Sequence, residues 1–529
     1  MRWLAVASAA IGVAIFVLAL GQTRSSAAGA PLSISISGNH FVNGAGQPIR
    51  LLGVNHASFE YACDEGYAYD DGHMTDADAA TVASWNANAV RVPLNEDCWL
   101  GINGDPSNSQ APDPPLTQAG YLQAVKDYVA ALHAHGLYAI LDLHWSAPGA
   151  HKADGQQPMP DDHSAAFWSS VAATFKNDPA VVFDVFNEPF SPGDPRSGDD
   201  PAHPVSWDCW ANGGCTVPRY SNTATREADV YTAAGMQALV TAIRNTGATQ
   251  PVLVGGLDYA NDLSEWLTHA PNDPLNQEAA SFHNYMGKAC DNVSCWNSQI
   301  APVAANVPVV TGEFDEDNYL EPQCANHTPS TFDQDYMTWA DQHGVGYLAW
   351  GWWVLSQQEK DGAGCSAFYL LDDYNGTPAA PNGTALHDHL LSLGGVNPGN
   401  GGGSTTSKPR IKLKTFKASV VAGGSRVRFT LRSAQSCRGR LTGQTVRKYA
   451  VSSAKHKRRQ VSLGSVRFSL KAGKSKTVVL KLSKASRRLL KAKHKLKVRI
   501  TITLTSAANS RTVIHRRITL KVPRAHVRH

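Results

Sequence analysis

Two glutamates in this sequence each follow an apolar run of the same kind. Glu188 comes just after residues 181–186, and Glu313 comes just after residues 308–311. Runs of β-branched and other apolar residues are typical of strands that are buried on both faces in a parallel sheet. Pro189 cannot donate to a sheet, so it ends the first run and leaves Glu188 at the carboxyl end of its strand. Either glutamate alone could be an ion-paired loop residue, but two carboxylates at one edge could provide general acid–base and nucleophilic chemistry.

Polar and aromatic residues also follow other predicted strands. Each has a plain structural interpretation: Arg91 could pair with a buried acid, His144 could be a core histidine, and Trp350 could be a packing residue. Together they place hydrogen-bonding and aromatic side chains on one rim, which favours a catalytic site. The candidates that accompany the two glutamates are His56, Arg91, His144, Trp145, Asn187, His283, Tyr285 and Trp350.

The elements that must position these residues form a repeating pattern. Eight strand-like runs alternate with helical patterns, which predicts an α/β fold of the (β/α)8 TIM-barrel type. An open doubly wound sheet is the alternative, but no glycine-rich phosphate fingerprint opens a helix in this sequence. A short hairpin near residues 32–42 is expected to close the bottom of the barrel. The predicted strands are 49–54, 89–93, 138–143, 181–186, 251–255, 280–282, 308–311 and 346–350, and the predicted helices include 75–85, 119–135, 164–175, 225–245 and 332–343.

The sequence around these candidates resembles a known enzyme family. The motifs are Ala-Val-Arg-Val-Pro at Arg91, Leu-Asp-Leu-His-Trp at His144, Asn-Glu-Pro at Glu188, His-Asn-Tyr at His283, Gly-Glu at Glu313 and Ala-Trp-Gly-Trp at Trp350. Their order and spacing over residues 38–392 are similar to those of glycoside hydrolase family 5, the cellulase family. The resemblance implies a retaining mechanism with Glu188 as acid/base and Glu313 as nucleophile. It covers cellulases, mannanases and exo-acting glucosidases, so it does not name the sugar.

The other candidates fit supporting roles in such a mechanism. Arg91 and Tyr285 could keep the Glu313 nucleophile ionised. Asn187 could bond the 2-hydroxyl of the sugar, and His144 and His283 could orient carboxylates or substrate. The remaining candidates are Trp350 and Trp145, which could offer an apolar face to a sugar ring, and His56, a further supporting residue.

Function classes other than a glycosidase remain open at this stage. His144, His283 and the two glutamates could form the site of a metal-dependent barrel hydrolase, although no His-x-His follows the first strand. A non-catalytic wall-binding barrel is a second alternative. The favoured prediction is a glycosidase without a cofactor that acts on a polysaccharide or oligosaccharide, most of all a β-glucan. A β-mannanase or an exo-acting β-glycosidase of the same family is the alternative.

Charge divides the chain into two parts. All 44 Asp and Glu lie before residue 397, whereas residues 408–529 carry 35 Lys and Arg and no acid. We therefore expect a catalytic domain over residues 31–393, a Gly/Ser-rich linker over 394–409 and a basic β-rich module over 410–529 that weakly resembles immunoglobulin-like modules. Such charge favours an anionic cell-wall or other acidic polymer as partner, with a solvated basic tail as the alternative, and no motif indicates specific nucleic-acid recognition. The protein is expected to be a monomer.

The amino terminus and the cysteines indicate export. Residues 1–30 contain Arg2, an apolar run and a small-residue segment, which is the order of a signal peptide cleaved near Ala30, with a retained anchor as the alternative. The predicted location is secreted or extracellular, including association with the cell wall. Disulfides are expected in that compartment, and Cys437 is left without an assigned partner. The candidate pairs are Cys63 with Cys98, Cys209 with Cys215, Cys290 with Cys295, and Cys324 with Cys365.

Overall fold

The computed structural model separates the chain into two compact units on either side of residue 402. It describes residues 32–192, 202–221, 225–316, 331–356, 359, 368–393, 413–420, 425–433, 436–447, 449–450, 458–471, 474–506 and 511–521. The predicted signal peptide and linker lie outside these residues. No helix in the described part of the chain is long and apolar enough to span a membrane.

A closed barrel of eight parallel strands forms the first unit, which confirms the predicted fold. Apolar residues on the strands fill a continuous core that extends outward to the surrounding helices. The strands are β1 (Leu52–Asn55), β2 (Ala89–Asn95), β3 (Tyr138–Trp145), β4 (Val181–Asp184), β5 (Val252–Gly255), β6 (Glu278–Tyr285), β7 (Val309–Asp315) and β8 (Gly346–Ala349).

Helices follow the strands as the pattern predicts, with one correction. Residues 225–245 do not form one helix, because Thr225–Ala234 pairs with Gly213–Ser221 in an antiparallel hairpin. The helix begins only after Gly235, at Met236. The helices of this unit are α1 (Ala62–Glu65), α2 (Asp76–Ser84), α3 (Glu96–Leu100), α4 (Gln118–Ala134), α5 (Ser164–Phe175), α6 (Trp207–Asn212), α7 (Met236–Asn245), α8 (Trp266–His269), α9 (Val293–Cys295, continued by a π-helical turn Trp296–Ile300), α10 (Ala301–Ala304), α11 (Phe332–His343) and α12 (Asn382–Leu393).

A small amino-terminal sheet closes the end of the barrel opposite the candidate site. Its strands are Ile34–Ser37, His40–Asn43 and Pro48–Ile49. Ile34 and Phe41 from this sheet pack against inward-facing residues near the start of the barrel strands. The predicted hairpin is therefore present and carries one more short strand.

Strand register places residues of the candidate site side by side on the rim. Asn55 on β1 stands opposite Arg91 on β2, and His283 on β6 stands opposite Glu313 on β7. The register of β6 with β7 shifts between Phe282 and His283. Such an irregularity re-aims the side chains that follow it, and here it lies directly before His283.

In its described residues, the second unit is an all-β module with one helix, α13 (Lys484–Lys493). Its main strands are β9 (Leu413–Val420), β10 (Arg426–Ser433), β11 (Cys437–Thr445), β12 (Ser462–Leu470), β13 (Ser475–Lys481), β14 (Lys495–Ser506) and β15 (Arg511–Lys521). They form two antiparallel sheets, of order β9–β10–β13 and β12–β11–β14–β15, and Tyr449–Ala450 pairs with Arg458–Arg459 in a separate two-stranded sheet. The two larger sheets share one apolar cluster, which is the arrangement of a sandwich.

Three of the four predicted disulfides are present. The bonded pairs are Cys63–Cys98, Cys209–Cys215 and Cys290–Cys295. Cys324 and Cys365 lie outside the described residues. Cys437 is buried in the apolar cluster of the second unit.

Candidate active site

The two candidate glutamates meet at one histidine. Glu188 follows β4, and Glu313 lies near the end of β7. The Nδ1 atom of His283 is 2.9 Å from Glu188 Oε1 and 3.7 Å from Glu313 Oε2. One carboxylate oxygen of each glutamate lies within 4.8 Å of the other. The two strands thus bring both carboxylates to the same reaction space.

Glu313 is held by two donors. Arg91 donates to Oε1 at 2.8 Å, and the Tyr285 hydroxyl donates to Oε2 at 2.7 Å. Burial, followed by the charge of Glu313, keeps the pKa of Tyr285 well above its usual range, so this hydroxyl retains its proton. Donors and a cation at a carboxylate favour its ionised form, which is the form a nucleophile needs.

Arg91 is the fully buried centre of the site. Its Nε donates to Asp184 at 2.8 Å, and its second guanidinium nitrogen is 3.0 Å from Asp142. The same guanidinium also donates to Asn55 Oδ1 at 3.1 Å and to Asn187 Oδ1 at 2.9 Å. A planar fork of five N–H donors can make all of these bonds at once.

Glu188 occupies a different environment from Glu313. Burial raises the pKa of Glu188, while the charge of Lys288 opposes this effect. Gln156, on the loop after β3, donates to the backbone carbonyl of Glu188 at 3.0 Å and so ties that loop to this residue. A carboxyl that holds its proton more strongly than usual suits the role of a general acid.

The two histidines on the rim are neutral. Burial lowers the pKa of His144 to about 4 and the pKa of His283 to about 3. His144 Nδ1 lies 2.7 Å from Asp142 Oδ2, and its ring stacks on Trp350 with the planes 6° apart and the centroids 5.5 Å apart. His144 therefore links the Arg91 network to the aromatic rim.

Partly exposed aromatic rings surround the glutamates. The ring of Trp350 packs edge to face against that of Trp353, with the centroids 5.3 Å apart, and the ring centroids of Trp145 and Tyr61 are 6.4 Å apart. Phe368 packs edge to face against Tyr285 at 5.3 Å. Such rings offer flat apolar faces that suit sugar rings.

One candidate does not lie with the others. His56 is fully buried, and its Nδ1 is 3.1 Å from Asp78 and 2.9 Å from the Tyr128 hydroxyl. Both partners belong to helices α2 and α4, so His56 joins the first strand to the helical layer. His56 therefore supports the site only indirectly, by stabilising the fold beneath it.

Several residues of the site were missed from sequence. They are Asp142, Gln156, Asp184, Lys288 and Phe368. A signal existed for Asp142 and Asp184, because an acid inside a buried apolar strand requires a partner. Gln156 and Lys288 lie on loops, where no periodicity predicts which side chain reaches the site.

The glutamate pair and His283 lie close enough together to hold a metal ion, but the positive charge of Arg91 opposes metal binding there. Glu188, His283 and Glu313 offer one ligand atom each within 4.8 Å of one another. However, the Arg91 guanidinium lies 2.8 Å from Glu313, where its charge would repel a divalent cation. The arrangement favours acid–base and nucleophilic chemistry.

Comparison with known proteins identifies the family. Residues 42–356 match the cellulase model of glycosyl hydrolase family 5. An endoglucanase of Streptomyces lividans is 25% identical over 54% of this chain and 50% of its own. A mannan endo-1,4-β-mannosidase of Cellvibrio japonicus is 22% identical over 73% of this chain and 71% of its own.

This chain spans about half the length of some relatives, since it covers 50% of the Streptomyces enzyme and 50% of endoglucanase Z of Dickeya dadantii. A solved β-glucanase of Saccharophagus degradans is 20% identical with a TM-score of 0.48, and the match covers 69% of this chain and 94% of that one. The family match covers more than half of the sequence. The chain therefore belongs to the cellulase family, glycosyl hydrolase family 5.

Proposed function

We propose that this protein is a glycosidase that cleaves a β-glucan with retention of configuration, with Glu188 as acid/base and Glu313 as nucleophile. The observation that carries the proposal is the approach of the two carboxylates, whose nearest oxygens lie within 4.8 Å. Retaining glycosidases have carboxyl groups about 5 to 5.5 Å apart, whereas inverting enzymes need about 6.5 to 9.5 Å to fit a water molecule.

Each step of the two-step reaction has a residue in place. Glu188 gives its proton to the leaving oxygen while Glu313 attacks the anomeric carbon, so the glycosidic bond breaks and a glycosyl ester forms. Glu188, now ionised, takes a proton from water, and the resulting hydroxide displaces Glu313. Arg91 and Tyr285 stabilise the carboxylate before and after the ester exists.

Aromatic rings in two sectors of the rim support cleavage within a polymer. One sector, at the ends of β1, β3 and β8, holds Tyr61, Trp145 and Trp350. The other, at the end of β6, holds Tyr285, with Phe368 packed edge to face against it at 5.3 Å. Rings in both sectors could bind sugars on either side of the scissile bond, as endo action requires. The endoglucanases among the relatives fit this proposal.

A β-mannanase is the second candidate. The mannosidase relative is matched over more of its length, 71%, than the endoglucanases, which are matched over 50% each. Glucose and mannose differ at the 2-position, which Asn187 is placed to contact beside Glu188. Asn187 alone does not separate the two sugars, because its amide can both donate and accept.

A substrate panel with stereochemical analysis tests the proposal. The full-length enzyme is incubated with carboxymethylcellulose, mixed-linkage β-glucan and β-mannan, and product lengths and the first-formed anomer are measured by chromatography and NMR. We expect β-configured oligosaccharides of several lengths from a glucan. Faster cleavage of mannan would move the proposal to the second candidate, release of single sugars from chain ends would indicate exo action, and an α-configured first product would overturn retention.

We also propose that the basic module attaches a secreted, monomeric enzyme to an anionic polymer of the cell wall. Exposed basic residues stand directly opposite each other across its strands, as in Arg440 with Arg467 and Arg426 with Lys481. Like charges in such positions are destabilising, and residues 408–529 contain no acid to compensate them. A polyanion would relieve this repulsion.

Salt-dependent binding of the full chain tests this attachment. Binding to polyphosphate beads should weaken steeply as NaCl rises, because exposed charges make the contacts. Replacing Arg440 and Arg467 by Gln should weaken binding and flatten the salt dependence, whereas two Gln substitutions at Lys126 and Lys176 of the barrel should not. Binding to neutral cellulose with no salt dependence would contradict the proposal.

A further inference from the structure

A second group of ionisable side chains lies outside the glutamate pair. Glu96 is the first residue of α3, directly after β2. Asp161 and His163 end the loop that follows β3, residues 146–163, here called the β3 loop. Their side chains converge although they come from different parts of the chain.

Two of these side chains are buried acids without adequate partners. Glu96 is 0% exposed and Asp161 is 1% exposed. Among the described residues, no N–H or O–H donor stands in good hydrogen-bonding geometry to either oxygen of Glu96 or to the Oδ2 atom of Asp161, and the two carboxyls lie against each other. The other oxygen of Asp161, Oδ1, accepts a hydrogen bond from the backbone N–H of His163 at 2.9 Å and a longer one from the Ser164 hydroxyl at 3.3 Å. Buried carboxylate oxygens without donors are costly unless a proton or a cation compensates them.

The geometry matches a cation site. Glu96, Asp161 and His163 each offer one ligand atom, and these atoms all lie within 4.8 Å of one another. His163 Nδ1 is 3.9 Å from Glu96 Oε1. Ligands that bind one metal at about 2.0 to 2.2 Å stand roughly 3 to 4 Å apart, so small side-chain adjustments would suffice.

The surroundings of His163 suit a metal ligand. Its Nε2 lies 3.8 Å from Asp162 Oδ2, so a small rotation would bring an N–H to that carboxylate, while Nδ1 lies 3.9 Å from Glu96 Oε1. Metal-bound histidines commonly donate their second ring N–H in this way. The contact of Nδ1 with the Ala147 carbonyl, at 3.3 Å, is long and would be given up on binding.

We propose that Glu96, Asp161 and His163 bind one divalent metal ion of the class that accepts mixed imidazole and carboxylate ligands, such as Zn2+ or Mn2+. This ligand set distinguishes the site from an all-oxygen Ca2+ or Mg2+ site. Asp97, also 0% exposed, adds negative charge beside the site. The ion is structural, because the site is separate from Glu188 and Glu313.

The metal would fix the β3 loop to the barrel. This loop carries Gln156, which holds the carbonyl of Glu188, and Gln157, which exchanges hydrogen bonds with the backbone of Tyr220. Joining the end of the loop to α3 limits how far Gln156 can move away from Glu188. The proposal does not depend on the retaining mechanism or on the choice of sugar.

Metal titration of the full chain tests this site. After chelation and dialysis, Zn2+, Mn2+ and Ca2+ are added separately, and the melting temperature and the bound metal per chain are measured. We expect one Zn2+ or Mn2+ per chain and a rise of about 3 °C or more in Tm at saturation. Glu96→Gln and Asp161→Asn should remove both effects.

Three further variants keep the test decisive. His163→Ala changes a side chain that is 25% exposed, so it should fold, and it should lose Zn2+ affinity by at least about tenfold while changing Ca2+ affinity less. Glu313→Gln should retain the metal, which excludes the active-site group as the ligand set. Asp388→Asn, at a side chain that is 76% exposed, is the matched charge control and should also retain it. Absence of stoichiometric metal in the wild type, or retention of it in both Glu96→Gln and Asp161→Asn, would overturn the proposal in favour of two acids that share a proton.

Discussion

The Nδ1 atom of His283 lies 2.9 Å from Oε1 of Glu188 and holds that carboxyl beside Glu313. Burial lowers the pKa of His283 to about 3, so the ring carries no charge at neutral pH. A neutral imidazole can accept a hydrogen bond from the protonated Glu188 carboxyl, or donate one to the ionised carboxylate, depending on whether Nε2 or Nδ1 carries the proton. His283 can therefore position Glu188 in both of its protonation states.

Replacing His283 by Ala tests this positioning role. We expect kcat/KM on a polysaccharide to fall about 100-fold, because Glu188 loses the partner that aims its proton. An aryl glycoside with a good leaving group should lose much less, since it needs little protonation. His269→Ala, on the outer helix α8, is the control and should change neither rate. Equal losses on both substrates would argue against a role through the acid.

Lys288 should set the alkaline limit of activity. Burial raises the pKa of Glu188, and the charge of exposed Lys288 counteracts this effect. Lys288→Gln removes the opposing charge, so the pKa of Glu188 rises further and the acid stays protonated to higher pH. The alkaline limb of the kcat/KM profile should move upward in pH. Lys126→Gln, an exposed change on α4, should leave the profile unmoved, and a downward shift for Lys288→Gln would contradict the prediction.

The disulfide Cys63–Cys98 should stabilise the barrel more than the two short-range disulfides. It joins residues 35 apart, whereas Cys209–Cys215 and Cys290–Cys295 join residues 6 and 5 apart. Loop-closure entropy predicts about 4 kcal/mol for the long loop and about 2 kcal/mol for each short one. Denaturant unfolding of the three paired Cys→Ser variants measures this order. A smaller loss for the Cys63–Cys98 pair would show that native-state effects outweigh chain entropy.

The barrel could be predicted from sequence because apolar, strand-like runs alternate with helical patterns eight times along the chain. Pro189 and the residues after each strand marked the carboxyl rim, so Glu188 and Glu313 were placed correctly relative to each other. The strand Thr225–Ala234 was missed because its residues also fit a helical pattern, although its partner strand Gly213–Ser221 directly precedes it in sequence. His56 looked like a site residue for the same positional reason as His144. Only the structure shows that it turns to Asp78 instead.

Arg91 should be essential for stability as well as for catalysis. It is the cation within hydrogen-bonding distance of three buried acids, Asp142, Asp184 and Glu313. Arg91→Met would leave these acids uncompensated and should cost about 3 to 5 kcal/mol. The double variant with Asp184→Asn should recover part of that loss, because one of the unpaired acids is removed. Chemical denaturation measures both, and additive losses in the double variant would contradict direct coupling.

The roles of the two glutamates predict different kinetic signatures. If Glu313 is the nucleophile, Glu313→Gln abolishes the covalent step for every substrate, whatever its leaving group. If Glu188 is the acid/base, Glu188→Ala should still form the ester from an aryl glycoside with a good leaving group, and only hydrolysis of that ester should slow. Glu265→Gln, at a side chain that is 58% exposed, is the matched control and should keep the wild-type rates.

Azide addition separates these roles from each other and from an inverting mechanism. A small anion needs no general base, so azide should accelerate Glu188→Ala and yield a glycosyl azide of retained configuration, while Glu313→Gln should not respond in this way. Mass spectrometry of the trapped aryl-glycoside reaction should place the covalent sugar on Glu313. An azide product of inverted configuration from Glu188→Ala would require the anion to attack the face that Glu313 is proposed to occupy. The assignment of Glu313 as nucleophile could not then stand, since a covalent ester on that face excludes such an attack.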